Sequence, residues 1–285
     1  MDWQDLNCFL ALARKGSMSA AAKELNVDHA TVSRRITALE ASLGLRLTER
    51  LPRQTSLTEQ GKVIASVANE MNRIADRIHI QAKALSLSPA VSIRISASPA
   101  VAAQLIAPAI ASFTQNHPDI ALSLAGASHH AQLSKGEADI AVRLTRPDDP
   151  GLLIRRIGTM HFGLYASHSW QEIPPENWVF IAYERSLEHI TQQNWLESLL
   201  EGRRIIFRAS DLMAQQQAAR SGLGLVTLPC FMGDADSSLL KLTVESRPPV
   251  RDIWLVAYPE LKRDPSAAVV MEFLADVISK ACPPD

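Results

Sequence analysis

Residues 19–50 read SAAAKELNVDHATVSRRITALEASLGLRLTER, and their punctuation decides the fold of the N-terminal third. Three small residues, Ala20, Ala21 and Ala22, sit in a short helix-forming run that Ser19 is expected to cap. Asn26 then tolerates the left-handed backbone of a tight turn. Asp28 caps a longer helix that Gly44 ends. In that helix Val32, Ile36, Leu39 and Leu43 recur at spacings of 4, 3 and 4 and form an inward stripe. At roughly 100° per residue, Arg34 points almost directly away from it. His29, Ala30, Thr31, Ser33 and Thr37 share the outer face, and Arg35 lies on its flank.

Working outward, Trp3, Leu6, Phe9, Leu10 and Ala13 predict a first helix over 3–14, closed by Gly16. Two helices joined by a short turn make a helix-turn-helix. A small-residue surface with one protruding arginine suits a major groove, so Arg34 is expected at base edges, Arg35 at phosphate, and Thr31 and Ser33 at either. A plain solvent-exposed helix is the competing reading of this face alone. After Gly44, two short extended runs around Pro52-Arg53-Gln54 predict a wing, from which Arg50 and Arg53 would approach the backbone. The net charge of −1 does not advertise nucleic-acid binding. Between His29 and Arg53, however, five arginines (Arg34, Arg35, Arg46, Arg50, Arg53) face two acids (Glu40, Glu49), a local +3.

Residues 59–88 contain no proline and predict a long helix. Ile64, Val67, Met71, Ile74, Ile78, Gln81 and Leu85 follow a 3,4 heptad seam. Such a seam joins two copies of the chain; packing against its own domain is the alternative. Ser86-Leu87-Ser88-Pro89 reads as a hinge. Beyond it, strands are expected at 91–97, 120–124, 139–144, 152–157, 162–166, 178–183, 204–208, 224–228, 239–244 and 253–258. Helices are expected at 100–115, 132–136, 188–200, 211–221 and 265–281. This alternation predicts α/β architecture with largely parallel sheets.

Ligands of such folds bind beyond the carboxyl ends of strands. That rule selects Ser98, Pro99, Ser128, His129, Arg143, Ser210 and Asp211 as candidates for holding a small anion. Ser98 and Ser210 read equally well as simple helix caps, His129-His130 as a surface loop, and Arg143 as the partner of a nearby acid.

The quoted stretch, continued by SLTEQGK, resembles the LysR-type transcriptional regulators. Two positions depart from that pattern. Thr48 stands where the family usually has Phe, predicting looser packing under the wing. Asp28-His29 replaces the usual Ser-Gln, which bears on operator preference. Further matching phrases are Arg94-Ile95-Ser96-Ala97-Ser98-Pro99, Gly136-Glu137-Ala138-Asp139-Ile140-Ala141-Val142-Arg143, Gly222-Leu223-Gly224-Leu225-Val226-Thr227-Leu228-Pro229 and Ile253-Trp254-Leu255-Val256. The resemblance implies an α+β multidomain chain in three parts: a winged helix-turn-helix (1–58), a dimerising linker helix (59–88) and a two-lobed α/β effector-binding domain (89–285). That domain would resemble periplasmic solute-binding proteins, with lobe one at 91–161 plus 259–285 and lobe two at 162–258. Partners implied are double-stranded promoter DNA, a second copy (as dimer or dimer of dimers), a small-molecule effector and RNA polymerase.

Enzymatic readings find little support. The chain has no HExxH, no GxSxG elbow and no P-loop, and its three cysteines, Cys8, Cys230 and Cys282, lack metal-site spacing. No cofactor or metal is expected. Neither a signal peptide nor a run of about 18 apolar residues is seen, so a cytoplasmic location without membrane contact is expected.

Overall fold

A computed structural model describes residues 1–51, 54–71, 91–126, 138–187 and 190–285. The chain divides into two compact units, Met1–Ser86 and Leu87–Asp285.

The first unit begins with α1 (Trp3–Lys15), α2 (Met18–Leu25) and α3 (His29–Leu43). Each ends on a left-handed residue: Gly16, Asn26 and Gly44. Their expected starts hold with one correction. Ser17, not Ser19, caps α2 by accepting the Ala20 N–H at 3.2 Å. Gly16 turns the chain out of α1, so Ser17 is the first residue free to adopt the extended cap conformation, and Ser19 sits exposed inside α2. The core joins Leu6, Phe9, Leu10, Ala21, Val32, Ile36 and Leu39, all buried, with Leu43 packed at its edge. Trp3, counted in the α1 stripe by spacing, is exposed.

A two-stranded wing follows, β1 (Thr48–Leu51) antiparallel to β2 (Gln54–Leu57). Glu40, near the end of α3, fastens it: one carboxylate oxygen accepts the N–H of Leu47 at 2.7 Å, the N–H of Thr48 at 2.9 Å and the Thr48 hydroxyl at 3.1 Å. The threonine adds one bond to this anchor, from its hydroxyl, that a phenylalanine at 48 would lack; the two backbone N–H bonds do not depend on the side chain.

Residues 59–71 form α4. Ala65 and Ala68 are buried against the helix-turn-helix core, and Ile64 packs there too. The first position of the expected seam thus belongs to this unit's own core. Val67 and Met71 remain exposed, while Ile74, Ile78, Gln81 and Leu85 lie outside the described residues.

Among its described residues the second unit holds nine strands, ordered β4-β3-β5-β11-β6-β9-β7-β8, with β10 also on β6. They are β3 (Val91–Ala97), β4 (Ile120–Gly126), β5 (Ile140–Arg143), β6 (Leu153–Ser167), β7 (Phe180–Tyr183), β8 (Ile205–Ala209), β9 (Leu225–Pro229), β10 (Leu239–Leu242) and β11 (Val250–Ala257). Pairing is parallel for β3 with β4 and β5, and for β7 with β8 and β9. It is antiparallel wherever β6 or β11 takes part. The sheets are therefore mixed rather than largely parallel.

Two further corrections concern these crossing strands. The runs expected at 152–157 and 162–166 are one 15-residue strand, β6, whose partner changes from β11 to β9 between His161 and Phe162. Gly158, inside this strand, is required by packing: a Cβ there would lie 2.3 Å from the Cys282 carbonyl oxygen, which also accepts the Thr159 N–H. Strand β11, assigned by sequence to lobe two, pairs with β5 and with 153–161 of β6, so it lies in the first lobe's sheet.

Helix α5 runs through Pro99–Val101, a π-helical turn Ala102–Ile106 and Ala107–Asn116. Pro108 has no N–H for the Gln104 carbonyl, and the ladder widens just before it, with Ala107 N–H reaching Ala102. Asp139 locks β5 to β3: its carboxylate accepts the Arg94 N–H at 2.8 Å and its guanidinium at 3.1 Å. Helices α6 (Thr191–Ser198) and α7 (Leu212–Arg220) cover the second lobe; α8 (Pro265–Ala281) buries Val270, Leu274 and Ile278 in the first. The helix expected at 132–136 lies outside the described residues. Among those described, no helix is long and apolar enough to cross a membrane.

Two outcomes follow. A fragment spanning 87–285 is expected to fold alone and melt cooperatively by circular dichroism; a non-cooperative melt would show the division is wrong. At Gly61 a Cβ would sit 2.1 Å from the Leu47 carbonyl oxygen. Alanine gains about 1 kcal/mol of helix propensity, but overpacking costs about 1–3 kcal/mol or more, and a backbone oxygen cannot rotate aside. Gly61→Ala is expected to lower the stability of the first unit in chemical denaturation; equal or higher stability would contradict this contact.

Candidate functional site

Two sites emerge, one in each unit. On α3 the Asp28 carboxylate caps the helix, accepting the Thr31 N–H at 2.6 Å and the Thr31 hydroxyl at 3.0 Å. These bonds to Thr31 hold the Asp28 carboxyl below its ordinary range, with a smaller contribution from the Arg34 charge. The helix therefore starts at His29, and His29, Ala30, Arg34 and Thr37 are exposed while Thr31 and Ser33 are half-exposed. The Thr37 hydroxyl turns back to the Ser33 carbonyl at 3.0 Å. Arg34 makes no hydrogen bond or ion pair with the described residues, so its guanidinium is available to a partner.

Arg35 is placed differently from expectation. It pairs with Asp5 at 3.1 Å and with Gln4, tying α3 to α1. Its flank position brings it to a neighbouring helix before it reaches outward. Arg50 stands in β1; Arg53 lies outside the described residues. Between α3 and the wing a recess is lined by Ser33, Thr37, Glu40, Arg46, Thr48 and Glu49.

In the second unit, Ser98, Pro99, Arg143, Ser210 and Asp211 line a single cavity of about 490 Å³. Each follows or ends a strand of one lobe or the other. Ser128 and His129 lie outside the described residues. The Ser98 hydroxyl makes no cap bond to α5, whereas Asp211 caps α7 through the Met213 N–H at 3.0 Å. Arg143 donates to the Ser96 carbonyl and hydroxyl, each at 3.2 Å.

Other cavity residues escaped the sequence reading. Arg251, in β11, donates to the Leu144 carbonyl and the Thr145 hydroxyl, each at 3.2 Å. Burial draws both guanidinia, Arg143 and Arg251, below their usual range; Tyr183 opposes the shift at Arg251. The Tyr183 phenol is pushed up to about 12 by burial, so it stays a neutral donor at neutral pH. Met160 and Phe162 of β6, with Val142, Ile190 and Pro229, supply an apolar wall. A concave, partly apolar volume of this size with a few convergent polar groups fits a small organic molecule. Arg251 carries no local signal: it stands beside Asp252 at the start of the run 250–257, and nothing there tells which lobe it faces. Among the described residues, no group of three His, Cys, Asp or Glu could hold a metal.

Comparison with known proteins agrees with this layout. Residues 3–62 match the family model "Bacterial regulatory helix-turn-helix protein, lysR family", and residues 88–279 match "LysR substrate binding domain". The chain is 30% identical over 280 residues to the Mau operon transcriptional activator of Paracoccus denitrificans, covering 98% of each protein. It is 28% identical over 248 residues to the HTH-type transcriptional regulator CrgA of Neisseria meningitidis, covering 84% of this chain and 83% of that protein. The solved structure of CrgA superposes with a TM-score of 0.55 at 25% identity, over 99% of both chains. That of AphB from Vibrio cholerae, at 24% identity, shares the fold with a TM-score of 0.55 over 97% of this chain and 99% of that one. With a helix-turn-helix at its N-terminus and a substrate-binding domain over the rest, the chain belongs to the LysR family of transcriptional regulators.

Proposed function

We propose that the protein binds a partly palindromic promoter site as a dimer or tetramer, and that a small molecule in the second unit's cavity modulates that binding. The observation that carries the first half is Arg34: an unpartnered guanidinium at the centre of an exposed, small-residue face on a capped helix. Arginine at such a position suits bidentate contact with guanine, worth about 1–3 kcal/mol of discrimination. His29, Ala30, Thr31, Ser33 and Thr37 flank it, and the sequence offers Arg50 and Arg53 for phosphate contacts. Arg35 serves the face through Asp5, by holding α3 in place, as much as through any phosphate.

Exposed Val67 and Met71 lie four residues apart on α4, and the sequence keeps the same 3,4 spacing at Ile74 and Ile78. An apolar stripe left open on a helix fits a second copy of the same helix. Two copies present two α3 helices, which is what a palindromic site requires. Acting on transcription, the assembly meets RNA polymerase, and we infer a cytoplasmic location from that role.

A gel shift with the DNA upstream of the protein's own gene tests this reading. The wild type is expected to retard it, and competition by unrelated DNA is expected to be weak. Arg34→Ala is expected to lose sequence discrimination by on the order of tenfold or more, with the oligomer intact in size-exclusion chromatography; unchanged operator affinity would remove Arg34 from the interface. Val67→Glu combined with Met71→Glu is expected to weaken the dimer, read as a lower mass in light scattering. A mass equal to the wild type would move the seam elsewhere.

A further inference from the structure

The three cysteines of the chain have different surroundings. Cys8 and Cys282 are buried to 5% and 4% exposure. Burial pushes both thiols up, that of Cys282 to about 11, and buried thiols of this kind are inert. Cys230 is half-buried, at the start of the short helical turn Cys230–Gly233. Lys241 of β10 donates from Nζ to the Cys230 sulfur at 3.2 Å. A partly exposed thiol with a cation at hydrogen-bond distance is the setting in which cysteines meet oxidants.

The lysine is held in that place from several sides. It stands opposite Tyr165 in the β10–β6 register, and its ammonium lies over the Tyr165 ring, 5.6 Å from the centroid. Gly163 leaves the room its stem needs: a Cβ there would lie 2.8 Å from Lys241 Cε. Asp234 flanks the ammonium with both carboxylate oxygens at 3.5 Å, and one of them accepts the Tyr165 hydroxyl at 2.6 Å. Burial pulls the Lys241 amine down, but Cys230 and Asp234 outweigh it and hold the ammonium above its ordinary range. Turning the sulfur into a neutral sulfenic acid removes the first of those partners, and the amine then gives up its proton more readily.

We propose that Cys230 and Lys241 form a modification site, which a hydroperoxide closes into a covalent sulfur–nitrogen link. The Cys230 sulfur attacks one peroxide oxygen. An S–O bond forms, the O–O bond breaks, sulfur is oxidised, and the other oxygen leaves with the thiol proton as water or an alcohol. Lys241 Nζ, its ammonium proton released to solvent, then displaces the sulfenic hydroxyl. The S–N bond forms, the S–O bond breaks, and the hydroxyl leaves as water with one amine proton. The net change is the loss of one hydrogen from the thiol and one from the amine, while the peroxide is reduced. Sulfenic acids condense with nitrogen nucleophiles in this way, and thiols reverse the product. The link would staple β10 to the turn that follows β9, one residue beyond Pro229 of the cavity wall.

Peptide mapping of the full chain, before and after hydrogen peroxide, tests it. From untreated protein trypsin releases 221–241, with Cys230 open to alkylation. After peroxide the cut at Lys241 is expected to be lost, giving 221–251 lighter by about 2 Da. A thiol reductant is expected to restore both the cut and the free thiol. Lys241→Arg keeps the cation and the cleavage site but lacks the amine, so its Cys230 is expected to stop at a sulfenic acid that dimedone traps. Cys230→Ser is expected to keep the cut at Lys241 after peroxide. The wild-type map decides the proposal by itself should either variant fail to fold. Cys230 still open to alkylation after peroxide, a wild-type end product that gains oxygen, or a retained cut at Lys241 each overturns it. So does loss of the cut in Cys230→Ser, or a Lys241→Arg chain with no dimedone adduct.

Discussion

The antiparallel pairing of β6 with β11 is the constraint on which the second unit depends. From Val250↔His161 to Ala257↔Leu153 the two strands run together in the first lobe's sheet. Beyond His161, β6 continues alone into the second sheet, between β9 and β10. One strand thus supplies backbone hydrogen bonds to both sheets, and the lobes cannot separate without breaking one ladder. The same crossing sets where the cavity lies. Met160 and Phe162 stand at the change of partner, and the ends of β3, β5, β7, β8 and β9 gather around them. Arg251, near the start of β11, reaches the end of β5. A ligand there touches both sheets and the strand that joins them, so its binding energy can bias how the lobes sit.

Polar fasteners play the equivalent part in the first unit. Asp28 sets the first residue of α3, Arg35 and Asp5 tie that helix to α1, and Glu40 holds the wing to its far end. The buried stripe of Val32, Ile36 and Leu39 sets the azimuth of α3 and so turns Arg34 outward. The fasteners fix where that helix starts and how its ends join α1 and the wing.

Much of this was legible in the sequence because it rests on local rules. Gly16, Asn26, Gly44 and Asp28 mark the helix ends through backbone conformation and capping, which need no knowledge of the fold. The 4, 3, 4 stripe of α3 places Arg34 outward by geometry alone. Strand ends selected five residues that the structure gathers around one cavity. What escaped depends on contacts distant along the chain. The gap expected between 157 and 162 closes into one strand, where Gly158 packs against Cys282, far along the chain. β11 joins the first lobe because of its partners, not its composition. Thr48 reads as a packing defect until Glu40 is found beneath it. Ile64 keeps the seam's spacing, yet the first unit's core claims it before a second copy can.

If the α3 face and the wing are what meet DNA, as we propose, the second unit gains no contact with it. Hydrogen–deuterium exchange of the full chain, with and without the DNA upstream of its gene, tests this most directly. New protection is expected only in peptides covering 28–43, the hairpin around 48–57 and α4. Protection absent from 28–43, or dominant within 91–285, would contradict it.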